Sequence, residues 1–75
     1  MKADVSLDCT GLLCPMPIAN TAMKIKTLSK GQVLEIIADD EGIKKDMPAW
    51  ARVTGNELVA MEESDGKVKM YVKKG

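Results

Sequence analysis

A pair of prolines two positions apart, Pro15 and Pro17, constrains the fold of this chain more than any other feature. Proline lacks a backbone N–H, so two prolines break a helix interior but are tolerated in the first turn. Pro15 can occupy the first helical position. We therefore expect a helix to begin here and to stop at Gly31. The apolar stripe of this helix is Ile18, Ala22, Ile25 and Leu28.

Four further segments are typical of β-strands because they are rich in branched residues or alternate apolar with polar ones. They are Val5–Asp8, Val33–Ala38, Glu57–Glu63 and Lys67–Lys73. Val33–Ala38 is almost continuously apolar, which predicts a central strand. Ser64-Asp65-Gly66 is a turn signal that joins the last two strands into a hairpin.

The segment Ile43–Thr54 predicts a second helix that stops at Gly55. Pro48 falls inside this segment, so we expect an irregular first turn. The apolar positions of this helix are Met47, Trp50, Ala51 and Val53.

The order of these elements is β-α-β-α-β-β. Each helix has one apolar stripe, and the last strand alternates between an apolar face and a wet face that carries Tyr71. This pattern favours an α+β fold, a two-layer α/β sandwich with both helices on one face of a mixed four-stranded sheet. We expect residues 1–75 to form a single domain.

Composition excludes several classes of function. The formal net charge is zero and Trp50 and Tyr71 are the only aromatic residues, so we expect no direct nucleic-acid binding. Residues 1–6 lack an apolar signal core and no apolar run approaches about 20 residues, which favours a cytoplasmic protein without a membrane segment. In a reducing compartment, two cysteines are more often reactive or buried than bridged.

The sequence places Cys14 directly before the expected helix. Backbone N–H groups and the helix dipole lower the pKa of a thiol at a helix start, which favours the reactive thiolate. Because Pro15 and Pro17 lack N–H groups, Met16 offers the nearest remaining donor. The alternative interpretation is a buried Cys14 that acts as a small hydrophobic side chain.

The quoted residues resemble the TusA/SirA-like sulfur-carrier family. The shared pattern is Leu-Asp-x-x-Gly-x-x-Cys-Pro-x-Pro from Leu7 to Pro17, followed by matches through Ala38-Asp39-Asp40, Trp50 and Leu58. The resemblance implies the β-α-β-α-β-β sandwich and a small cytosolic protein. It also implies that Cys14 accepts sulfane sulfur as a persulfide and relays it to a partner protein. The donor would be a cysteine desulfurase or a rhodanese-like protein.

Within this resemblance, Gly11, Pro15, Met16 and Pro17 would support Cys14. Two departures stand out. The tRNA-thiolation branch often has arginine and glutamate where this chain has Leu13 and Met16, so the surroundings of Cys14 are apolar and the pathway stays open. That branch also lacks Cys9, which could be a resolving cysteine, a second sulfur acceptor or an inert residue at the end of a strand.

We expect no cofactor and no metal, because Cys9 and Cys14 supply only two of the four ligands that a closed zinc site needs. The acidic run from Asp39 to Glu41 could bind a hard cation, supply paired carboxylates for acid–base chemistry or form a structural turn, and we favour the turn. Two functions compete: a sulfur carrier with little turnover of its own, expected to be monomeric when free, and a protein-binding or regulatory module in which Cys14 is structural.

Overall fold

The structure, a computed structural model, describes residues 2–13 and 15–75. Its elements in chain order are β1 (Val5–Asp8), α1 (Met16–Ile25), β2 (Val33–Ala38), α2 (Ile43–Thr54), β3 (Glu57–Ser64) and β4 (Lys67–Lys73). The predicted order β-α-β-α-β-β is confirmed. The bounds of β1, β2, α2 and β4 match the segments that the sequence predicts.

The four strands form one mixed sheet in the order β1-β2-β4-β3. β1 runs parallel to β2, and the other two pairings are antiparallel. β2 lies between two neighbours, as its apolar run predicts. Alternate side chains of the two inner strands are buried under the helices: Leu34, Ile36, Ala38, Val68, Met70 and Val72. The two-layer sandwich predicted from the sequence is therefore confirmed.

Helix α1 differs from the prediction at both ends and in the face that it buries. It begins at Met16, with Pro15 at the N-cap position, and it ends at Ile25 rather than near Gly31. The N–H groups of Thr27 and Leu28 bond to carbonyls three residues earlier, so the chain tightens into a turn. Two predicted stripe residues, Ile25 and Leu28, are buried, whereas Ile18 and Ala22 are half-buried. The other buried residues of α1 are Pro17 and Thr21.

Helix α2 spans Ile43–Thr54 with Pro48 inside it. The N–H groups of Ile43, Lys44 and Lys45 each bond to a carbonyl three residues earlier, at 3.2 Å, which is the expected irregular first turn. One predicted apolar position is wrong, because Val53 is 82% exposed while Ile43, Met47 and Ala51 are buried. Trp50 is half-buried against the core. Val53 lies only two residues after the buried Ala51, so the helix rotation places its side chain away from the sheet.

Two local features shape the β3–β4 hairpin. Asp65 and Gly66 both have positive φ, 52° and 76°, which is the conformation of a two-residue turn between antiparallel strands. The pairing of β3 with β4 also shifts register between Leu58 and Ala60, where β3 contains one extra residue.

The face of the sheet opposite the helices is not exposed to solvent at every position, which corrects the prediction for Tyr71. Tyr71 is only 3% exposed, although its neighbours Lys69 and Lys73 are exposed. Its hydroxyl donates a 2.8 Å hydrogen bond to Glu35 on β2, and Ser6 on β1 donates another to the same carboxylate at 2.8 Å. These bonds lower the pKa of Glu35. The bond to Glu35 raises the pKa of Tyr71 to about 12.

Candidate functional site

The candidate site is the segment between β1 and α1, and its central residue by sequence, Cys14, lies outside the described residues. The residues on either side of it in the chain are at the surface. Leu13 is 75% exposed, Pro15 is exposed, and Met16 is 48% exposed. The chain therefore reaches and leaves position 14 through a surface that is largely apolar and uncharged.

The start of α1 explains the different environments of the two prolines. Pro15 precedes the helix with φ −98° and ψ 14°, whereas Pro17 is helical and fully buried against the core. The carbonyl of Pro17 accepts the buried hydroxyl of Thr21 at 2.7 Å. Pro17 thus fixes the beginning of the helix to the protein interior, while Pro15 stays on the surface.

The backbone N–H of Met16 has a different role from the one predicted. It donates to the carbonyl of Leu13 at 2.9 Å. A donor committed to this backbone bond contributes less to a sulfur atom nearby. The N–H that the sequence offered as the nearest remaining donor to Cys14 is thus already bonded to the backbone of Leu13.

The loop before Leu13 is held by hydrogen bonds from four consecutive backbone N–H groups. Cys9 donates to the carbonyl of Ile37 at 2.7 Å, and Leu12 donates to the carbonyl of Cys9 at 3.1 Å. Thr10 donates to the carboxylate of Asp8 at 2.9 Å. Gly11 donates to both carboxylate oxygens of Asp39, at 3.1 and 3.2 Å. A loop with its donors satisfied in this way has a defined backbone path.

Asp8 stabilises the first turn of this loop. Its carboxylate accepts the hydroxyl of Thr10 as well as the N–H of the same residue. Both bonds favour the charged form, so they hold the pKa of Asp8 below its usual value. A carboxylate that bonds a backbone N–H two residues ahead is a common way to begin a turn.

Cys9 is a free thiol and is fully buried in the core. Burial raises the pKa of this thiol, and the negative charge of Asp8 raises it further, while a hydrogen bond with Asn20 of α1 opposes both effects. A thiol with a raised pKa carries little of the thiolate that attacks sulfur or binds metal. Its position links the end of β1 to the inner side of α1.

The acidic run after β2 forms structural contacts. Asp39 accepts the N–H of Gly11, and Asp40 accepts the N–H of Gly42 at 3.1 Å, just before α2. Glu41 pairs with Lys44 at 2.6 Å. Among the residues that the structure describes, no three His, Cys, Asp or Glu side chains come together to hold a metal ion.

Sequence reasoning missed two parts of this site. The turn of Asp8 with Thr10 had a local signal, since an aspartate at a strand end often bonds two residues ahead. The contact of Asp39 with Gly11 joins positions 28 apart, and it depends on how β1 and β2 pair in parallel. A single sequence contains no signal for such a pair. Gly11 itself was predicted as a support of Cys14, and its φ of +82° explains why glycine is needed there.

Across the described part of the chain, neither helix is long and apolar enough to cross a membrane.

Comparison with known proteins connects this geometry to a family. The sulfur carrier protein TusA of Allochromatium vinosum is 45% identical over 71 residues, which cover 95% of this chain and 93% of that protein. The sulfur carrier protein TusA of Pseudomonas syringae pv. syringae is 32% identical over 74 residues, covering 99% of this chain and 88% of that protein. Two other relatives are longer: this chain spans only 38% of one from Aquifex aeolicus and 40% of one from Bacillus subtilis.

The fold also has a solved counterpart. The crystal structure of the SirA-like protein from Desulfitobacterium hafniense matches with a TM-score of 0.81, covering 95% of this chain and 97% of that chain, at 18% sequence identity. At that identity the likeness concerns the fold alone. The family model described as sulfurtransferase TusA matches residues 5–74, nearly the whole sequence. The chain belongs to the TusA sulfurtransferase family.

Proposed function

We propose that this chain is a sulfur carrier that accepts sulfane sulfur on Cys14 and passes it to a partner protein. The observation that carries the proposal is the position of Cys14 in the family match over residues 5–74, between the exposed residues Leu13 and Pro15. A carrier exchanges sulfur with other proteins, so its reactive residue has to be reachable by large partners.

The chemistry is two successive exchange steps. The Cys14 thiolate attacks the outer sulfur of a donor persulfide, the donor S–S bond breaks, and the donor leaves as a thiolate. Cys14 then holds the outer sulfur as a persulfide. A thiolate on the acceptor attacks that sulfur, the new S–S bond of Cys14 breaks, and the Cys14 thiolate is restored. Each step forms one S–S bond and breaks one, so the cycle needs no external oxidant or reductant.

The surrounding residues have distinct proposed roles. Pro17 anchors the start of α1 in the core, and Pro15 limits the backbone at the surface. Leu13 and Met16 offer an apolar contact surface on both sides of Cys14 for the donor and the acceptor, and methionine adapts readily to different partners. Gly11 provides the positive φ angle that the path of the loop requires.

Cys9 takes no part in the proposed sulfur transfer. Its side chain is buried, and its raised pKa keeps it protonated at neutral pH. Of the three interpretations that the sequence leaves open, burial favours the inert one. We also propose that the donor is a cysteine desulfurase or a rhodanese-like protein, and that both donor and acceptor bind at the surface formed by Leu13 and Met16.

The test is the intact mass of the protein after incubation with a cysteine desulfurase, pyridoxal phosphate and cysteine, without reductant. Wild type, Cys9→Ser and Cys14→Ser are treated in parallel, and thiosulfate with a rhodanese serves as a second donor system. We expect a reductant-labile gain of one sulfur in wild type and in Cys9→Ser, and none in Cys14→Ser.

Two results would contradict the proposal. If wild type gains no sulfur from either donor system, a protein-binding module is the better account of the chain. If the gain requires both cysteines, sulfur moves by a relay between Cys9 and Cys14 instead of resting on Cys14 alone.

A further inference from the structure

The tether between Asp39 and Gly11 differs from the other bonds that hold the loop before Cys14. Of the four consecutive N–H groups in this loop, two bond to backbone carbonyls, and that of Thr10 bonds to the carboxylate of Asp8, two residues earlier. Only Gly11 depends on a side chain from a distant part of the chain. Removing that side chain would release one bond and leave the backbone bonds in place.

Asp39 is well placed to act as a fixed point. It directly follows Ala38, the buried last residue of β2, and β2 is hydrogen-bonded to a strand on each side. A residue at the end of a central strand moves less than a residue in a loop. The carboxylate of Asp39 therefore connects an inner strand of the sheet to an exposed loop.

The position of Gly11 makes this connection matter for Cys14. Gly11 has φ +82° and lies three positions before Cys14. Between them, Leu12 donates its N–H back to the carbonyl of Cys9. Without the tether, the segment from Thr10 to Leu13 would keep its local turn bonds and the packing of Leu12 against the core, but no hydrogen bond to β2 or to the residues that follow it. The direction in which the chain enters position 14 would then be less strictly defined.

We propose that Asp39 is a positioning residue for sulfur transfer: its carboxylate holds the N–H of Gly11 and thereby fixes how the loop presents Cys14 to donor and acceptor. The inference rests on the proposed function, because it takes Cys14 as the residue that receives sulfur. Exchange at sulfur requires a defined approach of the attacking atom, and a small displacement of a reacting group can lower a rate substantially. Asp39 acts through its hydrogen bond to Gly11.

Three substitutions separate the hydrogen bond from the charge. Asp39→Ala removes both, Asp39→Asn keeps an acceptor oxygen at the same reach without the charge, and Asp39→Glu keeps the charge but moves the acceptor by one methylene. The matched control is Asp40→Ala, which removes the neighbouring carboxylate that accepts the N–H of Gly42 just before α2. Far-ultraviolet circular dichroism and the fluorescence of Trp50 verify that each variant is folded.

The first measurement is the initial rate of sulfur loading on Cys14, by mass spectrometry. We expect Asp39→Ala and Asp39→Glu to load about tenfold more slowly than wild type, in line with the loss of a well-positioned group. Asp39→Asn stays close to wild type, as does the Asp40→Ala control. The backbone N–H of Gly11 exchanges with solvent faster in Asp39→Ala and keeps its protection in Asp39→Asn.

Either of two patterns overturns the inference. If Asp39→Ala loads as fast as wild type, the tether does not position Cys14. If Asp39→Asn is as slow as Asp39→Ala while Asp39→Glu is normal, the charge matters and the position of the hydrogen bond does not. Asp39→Glu also keeps the test decisive should Asp39→Ala fail to fold.

A reaction without a donor protein separates this inference from the proposed function. Iodoacetamide alkylates Cys14 directly, and peptide mapping distinguishes Cys14 from Cys9. If wild type gains no sulfur, the proposed function fails, but the inference still predicts an alkylation rate at Cys14 that changes about threefold or more in Asp39→Ala and not in Asp39→Asn. Equal alkylation rates in all the variants would overturn the inference.

Discussion

At the scale of the single residue, Gly11 shows how backbone conformation rather than space limits the choice of amino acid. Its φ is +82°, and a Cβ built on it would meet no atom within 4 Å. A side chain would therefore fit, but the left-handed backbone would be strained. Gly42 offers the opposite case in the same protein, because it has φ −61° and right-handed helical geometry at the start of α2.

We predict that Gly11→Ala lowers the free energy of unfolding by about 1–2 kcal/mol, the usual cost of placing an L-residue in the left-handed region. Gly11→Asn loses less, since asparagine tolerates this conformation. Gly42→Ala serves as the control and changes stability by less than about 1 kcal/mol, because alanine suits its φ. Urea denaturation measures all three, and an unaffected Gly11→Ala would contradict the left-handed assignment.

At the scale of the element, sequence patterns predicted the elements well where local signals were strong. β2, α2 and β4 have the predicted bounds because runs of branched residues, a C-terminal glycine and a two-residue turn are local signals. The buried face of α1 was predicted only in part. Ile25 is buried as predicted, but Pro17 and Thr21 were missed because their residue types seldom indicate a core. Tyr71 was assigned to the wet face because its bond with Glu35 depends on the pairing of β2 with β4.

The site was predicted in part for the same reason. The sequence located the surface segment around Leu13 and Met16, because a glycine loop and two prolines are local signals. It did not locate the contact of Asp39 with Gly11, which forms only when β1 and β2 lie side by side. The predicted role of Cys14 itself awaits the sulfur-loading experiment.

The orientation of α2 leads to a prediction about two of its apolar residues. Met47 is fully buried and Val53 is 82% exposed, although the sequence predicts both as apolar positions. Met47→Ala should therefore lower the free energy of unfolding by about 2–5 kcal/mol, through lost burial and a residual cavity. Val53→Ala should change it by less than about 0.5 kcal/mol. Thermal or urea denaturation distinguishes the two, and similar losses would indicate a different rotation of α2.

The bond that links β4 to β2 predicts how Tyr71 titrates. The pKa of Tyr71 is raised to about 12, chiefly by its hydrogen bond to Glu35. Because the folded pKa lies above the ordinary value of about 10, the stabilisation is complete below pH 10 and is lost as pH rises through 12. Tyr71 is the only tyrosine, so tyrosinate absorbance follows this group alone.

Glu35→Gln tests that titration directly. The variant removes the negative charge that faces the phenol, so we expect the midpoint of tyrosinate formation to fall towards the ordinary value of about 10. Lys69→Gln on the same face, which leaves the bond in place, is the control. A midpoint near 10 in wild type would show that Glu35 does not hold this hydroxyl.

At the scale of the whole molecule, we predict that the two cysteine thiols differ in their accessibility to solvent. Cys9 is fully buried and its pKa is raised by burial and by Asp8. In the Cys14→Ser variant, the remaining thiol should therefore react with iodoacetamide only as fast as the core opens. Its labelling rate should rise steeply with urea in parallel with unfolding. Fast labelling of Cys9 in the native protein would contradict its buried position. Cys9 would then again be a candidate sulfur acceptor.

The irregularity in β3 has a consequence for how the protein behaves when it is concentrated. β3 is an edge strand, and unpaired edges are templates on which another chain can add a strand and begin a fibril. The extra residue between Leu58 and Ala60 interrupts the regular spacing that such an addition requires. Glu57 and Glu62, which are exposed on the same strand, also place charge on this edge. The longest edge of this small sheet is thereby protected against self-assembly in a crowded cell.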